Sequence, residues 1–169
     1  GMSVAITGVE LTPENSGSIY NTLSLDADQC NIVVLHGQES EYSARDKAEI
    51  VHLTALKNKG IDYLALGHIH SYKQERLDAR GVYCYPGCLE GRGFDECGEH
   101  GFVMIDIDEL TGTIDSTFIP FAFRKLYTIP VDITGCGSTT EILERMKQET
   151  ARSNYPEKSL IKYELVGKI

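Results

Sequence analysis

Three histidines stand at the ends of apolar segments in this sequence. His36 ends the run 32–35, and His68 and His70 follow the run 63–66 after a single glycine. Both runs have the unbroken apolar character of a strand that is covered on both faces. In extended chain a spacing of two places both imidazoles on one side. Because open α/β sheets bind ligands at the carboxyl ends of their strands, the pattern predicts that these histidines share a metal site.

Two arrangements of metal remain open for these histidines. Three imidazoles can complete a single zinc site. One ion held by both His68 and His70 would, however, require a chelating bend, whereas two adjacent ions can each take one imidazole. Two ions about 3.5–4 Å apart clamp the attacking and leaving oxygens of a phosphoryl transfer. The alternative without metal is a pair of hydrogen-bonded histidines, and we favour ligation because convergent imidazoles at a sheet edge have few structural uses.

The segments around the histidines predict an α/β fold with a mixed sheet. Two strand–helix units come first, hairpins follow, and a strand–helix–strand unit ends the chain. A helix from Ala44, started by a capping box at Ser43 and Asp46, is the alternative to the short helix at 54–59. A second capping box, Ser138 with Glu141, predicts the start of the last helix. We predict strands at 3–11, 32–35, 63–66, 72–77, 82–85, 102–108, 113–119, 126–133 and 160–166, and helices at 18–25, 54–59 and 139–151.

Composition limits the classes of protein to which the chain can belong. Of its 169 residues 41% are hydrophobic and 24% are charged, which is a globular balance and excludes general disorder. The net charge of −9 argues against a broad nucleic-acid-binding face. No apolar run approaches the roughly 20 residues of a membrane span. The first residues do not have the pattern of a signal peptide, so we expect a cytoplasmic protein whose five cysteines are reduced.

Three runs of residues resemble the calcineurin-like metallophosphoesterases, and among them the SbcD-type DNA repair exonucleases. The runs are 34–37, 63–70, and 85–87 with 90–96. The resemblance covers residues 32–119, and the tail more loosely resembles the capping domain of that family. It implies that residues 1–122 form the C-terminal half of a β-sandwich with flanking helices. Residues 123–169 would then be a partial capping domain built as a βαβ unit.

The resemblance also implies an activity, cofactors and partners. Members of the family hydrolyse phosphodiester bonds with water activated by two metals, usually manganese. Carried over to this chain, His36 and His68 would bind the second metal and His70 the first. The substrate of the parent protein would be DNA, and its partner an SbcC-like coiled-coil ATPase. The alternatives are a phosphatase or phosphodiesterase of the same superfamily that acts on small molecules, and a non-catalytic interaction module.

The chain departs from the family at its other ligands. Three earlier motifs of the family are absent from these residues: Asp-x-His, Gly-Asp-x-x-Asp, and Gly-Asn-His followed by an acid. Three neutral imidazoles without carboxylates should hold manganese weakly. We therefore expect this chain to be inactive by itself although its parent is a hydrolase. A half-sandwich also exposes apolar surface, which predicts self-association into a homo-oligomer.

Two further residues are candidates for substrate binding, and one set of side chains is a weaker candidate for zinc. The Arg92 guanidinium can pair with phosphate, with a salt bridge to a neighbouring acid as the equal alternative. Tyr85 can stack on a substrate or fill the core. The possible zinc ligands have a spacing that fits no standard zinc knuckle, so we favour buried thiols over zinc. They are Cys84, Cys88, Cys97 and His100.

Overall fold

The computed structural model describes residues 1–39 and 50–168. They form two compact units, one of Gly1–Cys88 with Gly101–Ile119, the other of Leu89–His100 with Pro120–Ile169. The described elements are β1 (Val4–Gly8), α1 (Ile19–Thr22), β2 (Cys30–His36), α2 (Leu53–Leu56), β3 (Tyr63–Gly67), β4 (Lys73–Arg76), β5 (Val82–Tyr85), β6 (Gly101–Ile107), β7 (Ile114–Pro120), β8 (Leu126–Asp132), α3 (Thr139–Arg152) and β9 (Leu160–Val166).

The first unit is built on a sheet with the strand order β1-β2-β3-β5-β4. The pairs β1–β2, β2–β3 and β3–β5 are parallel, and β4 closes the sheet as the antiparallel arm of a hairpin with β5. The central strands β2 and β3 are the apolar runs of the sequence. The prediction that both are covered on two faces is wrong for β2, whose Val34 is 41% exposed. The predicted α/β class with a mixed sheet is confirmed.

One face of this sheet carries the core of the first unit. Alternate residues of β2, β3 and β5 point to the side of the short helices, where they are at most 4% exposed. Partly buried apolar residues around α1 and α2 pack against them. The strand residues of this core are Val33, Leu35, Leu64, Leu66, Tyr83 and Tyr85.

The two helices beside the core are shorter than the sequence predicts. α1 ends at Thr22 because the backbone of Leu23 is already extended, and α2 ends at Leu56 because that of Lys57 is extended. Neither helix has a side-chain cap to prolong it. The alternative helix start at Ala44, with its capping box, lies outside the described residues.

A network of hydrogen bonds joins the amino ends of three neighbouring strands. Arg80, which precedes β5, holds the Asp62 carboxylate with two contacts of 2.8 Å. The same guanidinium donates to the backbone carbonyls of Ala27 and Gln29 at 2.8 and 2.7 Å. Asp62, which precedes β3, also accepts from the backbone N–H of Asn31 in β2 at 2.8 Å. Charge-assisted contacts of this kind are stronger than neutral ones, so they fix these strand ends firmly.

The hairpin of β6 and β7 lies against part of the opposite face of the sheet. The rings of Phe118 and Tyr72 are 4.6 Å apart, and Ser116 donates to the Gln74 side chain at 2.9 Å. The part of this face that belongs to β1 and β2 stays open to solvent. Its apolar residues Val4, Ile6 and Val34 are 46, 72 and 41% exposed.

This open apolar face makes self-association a testable prediction. Ile6→Lys should lower the mass average measured by light scattering, because a buried ammonium would oppose pairing of two such faces. Leu110→Lys is the matched control, since Leu110 is 91% exposed in the turn between β6 and β7 and belongs to no such face. A wild-type chain that remains monomeric at high concentration would contradict the prediction.

The second unit contains the predicted strand–helix–strand element. β8 and β9 are parallel neighbours, with Leu126 opposite Leu160, and α3 connects them. The predicted capping box is confirmed in its N-cap half, since the Ser138 hydroxyl accepts from the backbone N–H of Glu141 at 3.3 Å. The Glu141 carboxylate accepts from the backbone N–H of Gly137, one residue before the N-cap, at 2.8 Å. The small core of this unit consists of Ile129, Val131, Ile133 and Cys136 with Ile142 and Met146 of the helix.

The predicted boundary after residue 122 did not include one loop that the structure assigns to the second unit. Residues 89–100 belong to the second unit because their backbone is tied to β8 and to the segment before it. The Gly98 N–H donates to the Leu126 carbonyl at 3.3 Å, and the Arg124 N–H donates to Glu90 at 3.1 Å. Among the helices of the described residues, none has the length and apolar character that crossing a bilayer requires.

Candidate metal centre

The carboxyl ends of β2 and β3 bring two of the predicted ligands to one edge of the sheet. His36 is the last residue of β2 and pairs in register with Gly67, the last residue of β3. His68 follows directly. The ring centroids of His36 and His68 are 5.4 Å apart, and the ring planes stand at 87° to each other. His36 is exposed and His68 is half-buried, so both imidazoles are accessible to an ion.

Gly67 leaves the space that the His36 ring occupies. A Cβ atom at this position would lie 2.7 Å from Nδ1 of His36 and 3.4 Å from its Cε1. The shorter of these separations is well inside van der Waals contact, so any larger residue would displace the imidazole. The glycine is thus required by the packing of the ring, because its own φ lies outside the left-handed region.

The backbone of His68 is strained. Its φ is +103°, a value that L-residues with a Cβ rarely adopt. Strain of this kind persists only where the surrounding structure imposes it, and it clusters at functional sites. The prediction of extended chain from His68 to His70 is therefore wrong at His68.

This strain gives a prediction on stability. His68→Gly should have a free energy of unfolding about 1 kcal/mol higher than His68→Ala, because only glycine adopts the native φ without steric cost. Both variants lose the imidazole, so the comparison isolates the backbone. Urea unfolding followed by circular dichroism measures the difference. Equal stability of the two variants would show that the backbone at 68 is relaxed.

His70 lies close to the thiol of Cys88. Within residues 1–39 and 50–168, the three histidines do not form a group whose ring nitrogens all approach within 4.8 Å of one another. A ring nitrogen of His70 does lie within 4.8 Å of Sγ of Cys88. The Cys88 N–H donates to the His70 carbonyl at 3.1 Å. His36 with His68, and His70 with Cys88, are therefore two neighbouring pairs of donors.

Tyr85 stabilises the turn that follows His36. The Tyr85 hydroxyl donates to the Gly37 carbonyl at 2.9 Å, and the side chain has no exposed area. Burial raises the pKa of this phenol well above its ordinary value. A ring without exposed surface offers no face to a substrate, so the core-filling alternative accounts for Tyr85. Its structural role is to support the turn at Gly37, directly after His36.

Glu39, two residues further along this turn, is occupied by its own partner. Burial raises the pKa of this carboxyl, but hydrogen bonds from the Lys73 ammonium and from its own backbone N–H outweigh it and hold the pKa below its ordinary value. The Lys73 ammonium forms an ion pair with Glu39. A carboxylate engaged in this way stabilises the turn, and the histidines remain the predicted metal donors.

Arg92 and three of the four weaker zinc candidates, Cys84, Cys97 and His100, have partners or are buried within their own units. The Arg92 guanidinium lies 3.4 Å from the Glu96 carboxylate and is 70% exposed, which matches the salt-bridge alternative; a role with substrate stays a prediction. Burial raises the pKa of Cys84, which has no exposed area. In the second unit, the His100 ring nitrogen lies 2.8 Å from the Glu96 carbonyl oxygen and the Cys97 thiol donates to the Phe94 carbonyl.

The comparisons with known proteins leave the chain without an assigned family. No model of a protein family matches it. No curated protein matches it either. The resemblance to the metallophosphoesterases therefore rests on the residues themselves, and the roles of His36, His68 and His70 as ligands stay predictions.

Proposed function

We propose that this chain supplies three imidazole ligands to a two-metal phosphodiesterase, His36 and His68 to one ion and His70 to the other. The parent enzyme would be a DNA repair exonuclease of the SbcD type, with a half-sandwich and the beginning of a capping domain in these 169 residues. The observation that carries the proposal is the pair of imidazoles at the ends of β2 and β3, with a glycine that makes room for one and a strained backbone that aims the other.

Imidazole is a suitable type of ligand for a divalent metal, but three imidazoles are too few to complete two metal sites. Imidazole nitrogens suit manganese, iron and zinc, and the 5.4 Å between the ring centroids of His36 and His68 leaves space for an ion that both can reach. When bound, a pair of such ions lowers the pKa of coordinated water and neutralises charge on the phosphate. The carboxylates that would complete the set belong, in this proposal, to residues outside this chain.

The residues of the chain have separate tasks in this scheme. Gly67 and Tyr85 fix where the His36 ring stands, the first by leaving space and the second by holding Gly37. The backbone at His68 holds its imidazole beside that of His36 before any ion arrives. Such preorganisation is what a catalytic metal site requires of its supporting residues.

The open position of the pair favours a large substrate over a small one. His36 is exposed at the rim of the sheet, and none of the three histidines lines the cavity of about 590 Å³ beside α2. A polymer can reach an open rim, whereas small substrates are usually enclosed. The net charge of −9 is compatible with DNA, because bound metal ions supply the positive charge at the site itself.

The test compares this chain with its complete parent protein. With manganese and a model phosphodiester, the isolated chain should show no turnover, and the parent should show turnover that His68→Ala abolishes. His52→Ala is the matched control, because the His52 ring packs edge-on to Tyr20 at 5.8 Å and has no part in the site. Linear DNA should compete with the model diester in the parent.

Three outcomes would count against the proposal. Robust turnover by the isolated chain that is lost in His68→Ala would show that no further ligands are needed. A parent protein that binds manganese but hydrolyses only small phosphate esters would replace DNA with a small substrate. A parent that binds no metal at all would indicate an interaction module. Co-purification of the parent with a coiled-coil ATPase tests the proposed partner separately.

A further inference from the structure

We propose that the Cys88 thiolate and the His70 imidazole jointly hold a thiophilic divalent ion, with Zn²⁺ preferred over Mn²⁺. The inference rests on the proposed function, because it concerns the ion assigned there to His70. It pairs His70 with Cys88, which the sequence offered only as a weaker zinc candidate, and changes the chemical class of metal expected at that position.

The topology places both residues at the same edge of the sheet. β3 and β5 are parallel neighbours, so their carboxyl ends meet. His70 stands three residues after the last residue of β3, and Cys88 stands three residues after the last residue of β5. The two main chains meet at this edge, where the Cys88 N–H donates to the His70 carbonyl at 3.1 Å. Both residues are half-buried, which shields a bound ion while leaving it a path of entry.

Backbone contacts lock the two residues together. Besides the hydrogen bond from the Cys88 N–H to the His70 carbonyl, Gly87 packs directly on the chain at 70–72. A Cβ at Gly87 would lie 2.7 Å from the His70 carbonyl oxygen and 3.1 Å from the Tyr72 nitrogen. Such close approach of two main chains fixes the separation of the side chains that they carry.

The separation of the donor atoms fits one tetrahedral ion. Zinc bonds to sulfur and to imidazole nitrogen of about 2.3 and 2.0 Å place the two donors about 3.5 Å apart. The ring nitrogen of His70 and Sγ of Cys88 lie within 4.8 Å of each other, a distance that side-chain rotation can close while the backbone stays in place.

The identity of the donors determines the metal. A thiolate is a soft ligand that selects zinc, iron or cobalt over manganese, magnesium or calcium. An imidazole beside it is acceptable to all of the softer ions. The pair therefore shifts the preference of its site away from the manganese expected for a ligand set of imidazoles and carboxylates.

The experiment uses Co²⁺, a spectroscopic substitute for zinc that gives a sulfur-to-metal charge-transfer band only when a thiolate is bound. We expect the full 169-residue chain to develop this band on titration with Co²⁺. Cys88→Ser should abolish it and weaken Zn²⁺ binding by at least ~10-fold. His70→Gln should weaken Zn²⁺ binding as well. Cys97→Ser is the matched control and should keep the band, because the Cys97 thiol is exposed in the second unit.

Two results would overturn the inference. One is a chain that binds no Co²⁺ or binds it without the charge-transfer band. The other is a band that survives in Cys88→Ser. The proposed function fails separately, if the parent protein does not hydrolyse phosphodiesters. A parent that is inactive but shows the charge-transfer band would support this inference and contradict the proposed function.

Discussion

Gly67→Ala should displace the His36 imidazole and weaken metal binding by the His36–His68 pair at least ~10-fold, with little loss of stability. The added Cβ would lie 2.7 Å from Nδ1 of His36, and a side-chain ring can move away where backbone cannot. The free energy of unfolding should change by less than about 1 kcal/mol, because alanine suits a strand at least as well as glycine does. The variant thus separates the position of a ligand from the integrity of the sheet.

Paramagnetic broadening by Mn²⁺ is the suitable measurement, since it reports weak binding. In the wild type, small amounts of Mn²⁺ should broaden the imidazole proton signals of His36 and His68, and Gly67→Ala should need correspondingly more. Gly8→Ala is the matched control, because a Cβ at the end of β1 meets nothing within 4 Å. Unchanged broadening in Gly67→Ala would mean that the ring position does not matter for binding.

Gly87→Ala, in contrast to Gly67→Ala, should strongly destabilise the fold and lower the free energy of unfolding by about 3 kcal/mol. The φ of Gly87 is +81°, and the atoms that a Cβ would meet belong to the backbone of His70 and Tyr72. Neither the conformation nor the contact can be relieved by moving a side chain. Urea unfolding followed by circular dichroism gives the value.

Gly60→Ala isolates the part of this loss that comes from packing. Gly60 has a φ of +84°, but a Cβ added there would meet nothing within 4 Å, so its variant should lose only about 1 kcal/mol. The difference between the two variants is then the cost of forcing the chains at 70–72 and 87 apart. Equal losses at 60 and 87 would show that the close approach contributes nothing.

The sequence predicted the framework of the site because the framework follows from strand periodicity. Continuous apolar runs at 32–35 and 63–66 correspond to β2 and β3, and the rule for open sheets placed His36 and His68 at a common edge. The capping box at Ser138 located the start of α3 for the same reason, since it depends on local residue types alone.

What the sequence did not predict depends on backbone geometry and on distant contacts. The left-handed φ at His68 has no signature in a residue that is not glycine, so the chain was expected to remain extended. The approach of Cys88 to His70 spans a whole hairpin. The sequence offered Cys88 only as a weaker zinc candidate beside Cys84, Cys97 and His100, and no local pattern placed its thiol near His70. The attachment of residues 89–100 to the second unit rests on long-range backbone hydrogen bonds.

The Asp62–Arg80 network and the histidines occupy opposite ends of the same strands, which matters for redesigning the metal preference of this fold. None of the histidines takes part in the network, so exchanging an imidazole leaves the anchor at the amino ends intact. A different ligand can then be introduced at 36, 68 or 70 while the strands stay paired. Gly87 does not share this freedom, because a Cβ there would meet the backbone of His70 and Tyr72.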